Sequence, residues 1–274
     1  MRRLTKFFLS SFLLSFVLLT STVSAQTLEP EVQSSVRTVT TLSDNYDTAF
    51  GFGFMMNNFG FGFGGEIRKV VGSQTELTGS LRMTGLRDAS EQTFTDFFFG
   101  QQVIPNKYQR AFSFPLMFGM RQRLFPDYIQ DNYRFFASAA MGPSVALSYP
   151  YFDDINDNGY REQFQNFFEP VNDIFSGLGE GDWHWGTAGE IKLGVDIGSN
   201  FTRLSSVEFG YFFYYYPDGI QIMMPNQPAV RQNVNPGQDP FIVDQDGELV
   251  LEPFFDAQSF FGTPQITFTF GWLW

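Results

Sequence analysis

Residues 265–274 alternate without a break: Ile266, Phe268, Phe270, Trp272 and Trp274 on one face, Gln265, Thr267, Thr269, Gly271 and Leu273 on the other. Successive side chains of extended backbone point to opposite faces, so period two marks a strand. Here one face is large and aromatic while the other is mostly small and polar. The two faces are built for different media. A strand of a soluble sandwich can alternate too, but it rarely places two tryptophans in its last three residues and then stops.

The opposite end of the sequence leads to the same expectation. Arg2, Arg3 and Lys6 precede an apolar stretch, 7–19, and a small-residue run, Val23-Ser24-Ala25. That order predicts a secretory signal peptide over 1–25. The stretch is too short, and too broken by Ser10, Ser11 and Ser15, for a spanning helix. With no cysteine in the chain, disulfides and a lipid-bearing cysteine are excluded. Without 1–25 the chain holds 14 basic against 29 acidic residues, a net charge of −15. It carries 36 phenylalanines yet has a slightly negative mean hydropathy. Aromatics without long apolar runs suit strands that are apolar on one face only.

Residues 26–46 read as a polar periplasmic lead-in and 47–274 as one barrel domain. Strands are expected at 49–56, 59–71, 74–84, 108–125, 133–149, 185–197 and 205–216, with the C-terminal strand as the eighth. Asn57-Asn58 reads as a two-residue turn. Facing residues then sum to 115, which sets Phe54 against Phe61 and Phe52 against Phe63 on the outer face. Gly53 meets Gly62 and Gly51 meets Gly64 inside, a glycine stripe suited to a tightly curved wall. Eight strands put the short turns 71–74, 126–132 and 198–204 at one end and the long segments 86–107, 149–183 and 217–262 at the other. Ten strands would need two more from the loops or the lead-in.

The fold class is therefore all-β: an eight-stranded antiparallel up-and-down transmembrane β-barrel with long outer loops. The strand pattern and the aromatic terminal strand resemble small OmpA/OmpX-type outer-membrane barrels of bacteria. Thr269 stands where such terminal strands often carry glycine. The resemblance implies the outer membrane of a diderm bacterium, with outer-membrane lipid, lipopolysaccharide and the assembly machinery as partners, and a monomer that binds no nucleic acid. It carries over no functional residue.

The charged residues assigned inward are Glu66, Arg68, Glu76, Arg82, Arg121, Arg123, Arg134, Glu190, Lys192, Asp196 and Glu208. Buried charges persist when paired, and eight strands enclose little more than side chains. A filled, salt-bridged interior is expected and a diffusion pore is not. Segments 149–183 and 217–262 carry −13 of the −15. Such a field attracts cations. Within it, Asp154, Asn156, Asn158 and Gly159 match the opening of a calcium loop, with a carbonyl from Tyr160 and a carboxylate from Glu162 as further ligands. Gln165 replaces the bidentate acid of an EF-hand, so the comparison is with isolated extracellular calcium loops. Asx-turns alone account for the same pattern. Asp244-Gln245-Asp246-Gly247 reads as a hairpin turn.

No catalytic set is expected. The single histidine, His184, lies between Trp183 and Trp185 and reads as part of a rim aromatic belt, and no nucleophile motif accompanies it. The reading is a non-catalytic barrel with a structural or surface-interaction role. The alternative is a PagP-like barrel that modifies lipid or admits an apolar ligand sideways. Pro115 and Pro143 supply the motive for it. With facing residues near a sum of 257 they fall side by side, where a bulge or a lateral opening would form.

Overall fold

The structure is a computed structural model that describes residues 46–95, 102–126, 132–164, 167–198, 203–235 and 237–274. The expected signal peptide and nearly all of the lead-in lie outside the described residues. Eight antiparallel strands close into a barrel. They are β1 (Thr48–Asn57), β2 (Gly60–Val70), β3 (Thr75–Leu86), β4 (Gln109–Arg123), β5 (Tyr133–Pro150), β6 (Asp182–Ile197), β7 (Arg203–Ile220) and β8 (Gln258–Leu273). Each pairs with its neighbours in sequence, and β8 closes on β1 from Ala49↔Leu273 to Asn57↔Gln265. The three long connections gather at one end, here the loop end, and the short ones at the other, the turn end.

Alternation places the side chains as the sequence implies. Phe50, Phe52, Phe54 and Met56 of β1, Phe61 and Phe63 of β2, Leu116, Phe118 and Met120 of β4, and Phe270 and Trp272 of β8 are all exposed. Their neighbours in sequence point inward. Glycines appear inside where a neighbouring strand sends in a long side chain. A Cβ on Gly64 would sit 2.7 Å from Cγ of Arg82, and one on Gly210 would sit 2.6 Å from Cγ of Lys192.

Two expected registers are corrected. The β1–β2 turn is Asn58-Phe59, not Asn57-Asn58, because Asn57 pairs with Gly60. The cause is the Asn57 side chain, whose Oδ1 accepts the Phe59 N–H at 2.9 Å while Nδ2 donates to Gln265 at 2.9 Å. Phe54 therefore pairs with Phe63, and its ring stacks on its diagonal neighbour Phe61 at 5.6 Å. A shift of two leaves every residue on its predicted face.

Between β4 and β5, Pro115 faces Ser144, so facing residues sum to 259, not 257. Pairing lapses at Leu116 and Met117 and resumes in the same register at Phe118↔Met141. An unchanged register leaves no extra residue, so the prolines create no bulge. The strands also stay close, since a Cβ on Gly142 would lie 2.1 Å from the Leu116 carbonyl oxygen. Behind them Ser113, Ser144 and Tyr216 are buried and mutually hydrogen-bonded at 2.8–3.0 Å. The wall is closed at the prolines.

It is stepped elsewhere. β1 and β2 have 10 and 11 residues, whereas β7 has 18 and β8 has 16. β2 meets β3 only as far as Gly62↔Thr84. Above the Asn58-Phe59 tip, residues 258–264 of β8 keep a strand neighbour on the β7 side alone. Pro264 is the first residue beyond the reach of β1, and an edge is where a proline costs no ladder bond.

Candidate functional site

The lumen has two zones. Toward the turn end lies a network of five cations and five carboxylates, all buried. Arg68 pairs with Glu66 and, at 3.5 Å, with Glu208; Arg82 pairs with Glu190 and, at 3.5 Å, with Glu66. Arg121 joins Asp196, Glu76 at 3.3 Å and Glu208 at 3.8 Å, with its guanidinium over the Phe136 ring. Lys192 bridges Glu208 at 2.6 Å and Glu190 at 3.1 Å, and Arg123 reaches Asp196 at 3.9 Å. β2, β3, β4, β6 and β7 contribute the charges and β5 the Phe136 ring, so the network ties the wall together across the lumen. The expected sixth cation, Arg134, is only partly buried and donates to the Gly198 carbonyl at the turn end. A cavity beside Glu66 and Arg82 measures about 10 Å³, roughly the space of one water.

Toward the loop end the filling is apolar, which corrects the expected salt-bridged polar filling for that part of the lumen. Met117, Ala146, Ala188, Phe212, Tyr214, Tyr216 and Phe261 form one buried cluster with Ile220 and Ile222. Ile222 belongs to the last long connection, which folds back into the mouth. Its carbonyl accepts the N–H groups of Tyr108 and Gln109 at 2.8 and 3.1 Å, and Met224 N–H donates to Asn106 at 2.8 Å. The mouth is thus closed by the chain itself. His184 is also corrected. Trp183 and Trp185 are exposed, but the imidazole between them turns inward, with Nε2 2.8 Å from Oγ of buried Ser148.

The candidate calcium ligands lie on the β5–β6 connection. Asp154 is a turn anchor: its carboxylate accepts the N–H groups of Asn158 at 3.1 Å and Gly159 at 2.8 Å. Asn158 accepts the Tyr160 N–H at 2.8 Å and donates to Glu162 at 2.7 Å. Asp154, Asn158 and Glu162 are thereby brought together with the Tyr160 backbone, while Asn156 is exposed. Asp157 and Gly159 take positive φ, 53° and 74°. Sequence reading passed over Glu169, the buried clip of this loop, whose carboxylate accepts the N–H groups of Ile155 and Glu162 at 3.1 and 3.0 Å. Only its placement opposite Glu162 distinguishes it from its acidic neighbours. Burial pushes the Tyr160 phenol up and the Arg161 guanidinium down. No group of three or more His, Asp or Glu among the described residues is arranged to hold a metal ion. The loop is closed by its own hydrogen bonds. The Asp244 segment is a hairpin turn as expected, with Gly247 at φ 85° and Asp244 N–H donating to Glu248 O at 2.9 Å.

No family model, curated protein or solved structure matches this chain.

Proposed function

We propose that this chain is a monomeric, non-catalytic outer-membrane barrel of a diderm bacterium, of the small OmpA/OmpX type, with a structural or surface-interaction role. The observation that carries the reading is the apolar belt around a closed barrel. Exposed phenylalanine, leucine, isoleucine and methionine side chains recur on all the strands, far beyond the few hundred Å² that a soluble monomer leaves open. Its natural solvent is lipid, and closure of the sheet satisfies the backbone there. The loop end, which holds the acidic segments, faces outward, where it meets lipopolysaccharide and solutes. The ion-pair network and the aromatic cluster fill the lumen, so transport by diffusion is not the role.

Fractionation and electrophysiology test this together. The protein should partition with the outer membrane, run faster on gels unheated than boiled, and give no sustained conductance in planar bilayers. Recovery as a soluble periplasmic monomer would end the membrane reading. Large, stable single-channel steps would end the filled-lumen reading.

Calcium binding by Asp154, Asn156, Asn158, Tyr160 and Glu162 is a second proposal, supported by the contact of Asp154, Asn158 and Glu162 around one turn. About 10 mM calcium, above the ~1 mM dissociation constants of weak extracellular modules, should raise the melting temperature of the wild type. Asp154→Ala combined with Asn156→Ala should abolish the rise. No rise in the wild type removes the site.

A further inference from the structure

The step above the β1–β2 tip holds a recess of about 600 Å³, within the range of small-ligand pockets. Its walls differ in character. Tyr211 and Phe260 are exposed aromatics of the outer face, and the Tyr211 ring occupies the space a side chain on Gly262 would need. Across from them the segment following β3 brings Arg87, Asp88 and Glu91. That segment spans the step on one bond, from Ala89 N–H to the Gln258 side chain at 2.9 Å. Phe59 seals the floor, packed 6.5 Å from the rings of Tyr214 and Phe261. The recess therefore opens to the side of the barrel, not into the lumen.

Its polar groups are incompletely used. Glu91 is nine-tenths buried; Oε1 takes Lys107 at 3.0 Å and Arg87 at 3.4 Å, but Oε2 accepts no hydrogen bond among the described residues. A buried carboxylate oxygen left bare is costly; Oε2 has almost no accessible surface, so a ligand's donor reaches and relieves it by moving the Arg87 side chain aside. Arg87 is a third exposed. Arg87 and Lys107 balance Asp88 and Glu91, so a ligand with a net charge would add an unpaired one, whereas a zwitterion would not.

Building on the membrane reading, we infer that the recess takes a single-chain zwitterionic amphiphile sideways from the surrounding lipid. Its alkyl chain lies on Tyr211 and Phe260, its ammonium donates to Oε2 of Glu91, and its phosphate meets Arg87.

Native mass spectrometry of the barrel in dodecyl maltoside, titrated with lysophosphatidylethanolamine, tests this. One saturable equivalent is expected. Arg87→Ala and Phe260→Ala should each weaken it at least tenfold, and Ala89→Trp, which fills the recess and keeps its charges, should abolish it. Lysophosphatidylglycerol, which lacks the amine, should bind at least tenfold more weakly, and free phosphoethanolamine should not compete. Non-saturable adducts, indifference to all three substitutions, equal binding of the anionic lipid, or displacement by the free head group would each overturn the site. Gel mobility of the same preparations reports the barrel separately. An intact barrel without the adduct overturns this site and leaves the membrane reading standing.

Discussion

Replacing Glu208 by leucine should destabilise the barrel by about 3–5 kcal/mol, the cost of breaking a buried pair and leaving its partner charged. Glu208 is the carboxylate shared by most cations: Lys192 at 2.6 Å, Arg68 at 3.5 Å and Arg121 at 3.8 Å. Its removal gives the network a net charge of +1, and the cavity beside Glu66 and Arg82 has space for about one water. Arg68 keeps Glu66, Arg121 keeps Glu76 and Asp196, and Lys192 keeps Glu190 at 3.1 Å; Lys192 loses its closest partner, so it bears most of the change. Adding Lys192→Met restores balance and should recover most of the loss, since exchanging a whole buried pair for apolar groups is often neutral. Urea unfolding of the three proteins in the same detergent decides the matter. A single substitution costing under about 1 kcal/mol, or a double one that is worse, would mean that the lumen is hydrated and the pairs are screened.

That network was legible in the sequence because it depends on period two alone. Once Phe209 and Val207 face outward, Glu208 must face inward, and the same logic places Arg121, Lys192 and Asp196. The apolar zone was hidden for the same reason. Alternation from Phe209 also turns Phe212, Tyr214 and Tyr216 inward, but Phe212 to Tyr216 are aromatic at every position, so no contrast between the faces singles them out as filling. His184 follows the same rule. Two flanking tryptophans suggest a belt, yet the residue between two outward residues has to point in. Register was less accessible, since the β1–β2 turn depends on bonds from Asn57 to Phe59 and to Gln265, the latter 208 residues away. The step in the wall was out of reach altogether. It arises where strands of unequal length become neighbours, and Pro264 marks it only once β1 is known to stop at Asn57. Pro115 and Pro143, more conspicuous in the sequence, lie in closed wall.

Deleting Trp272, Leu273 and Trp274 should abolish the heat-modifiable form altogether, and the reason is closure. Trp272 pairs with Phe50 on one side and Arg203 on the other, and Leu273 pairs with Ala49. The Trp274 carbonyl accepts the N–H groups of Asp47 and Thr48 at 2.9 and 3.0 Å, and its N–H donates to Thr48 at 2.9 Å. Without them the turn end of β1 loses its partner along the seam where the sheet closes, and Ala49 and Leu273 lose their buried contact. Water can satisfy a frayed edge, but hydrocarbon cannot, at several kcal/mol for each bare backbone group. The aromatic side chains matter less to this argument than the backbone behind them. Trp272→Leu with Trp274→Leu keeps every ladder bond and an apolar outer face. This variant should refold into detergent micelles as the wild type does, while the truncated chain should not. A truncated chain that still gives the fast-migrating form would show that the seam closes without its last three residues. Failure of the leucine variant in micelles would shift the explanation from pairing to the indole rings.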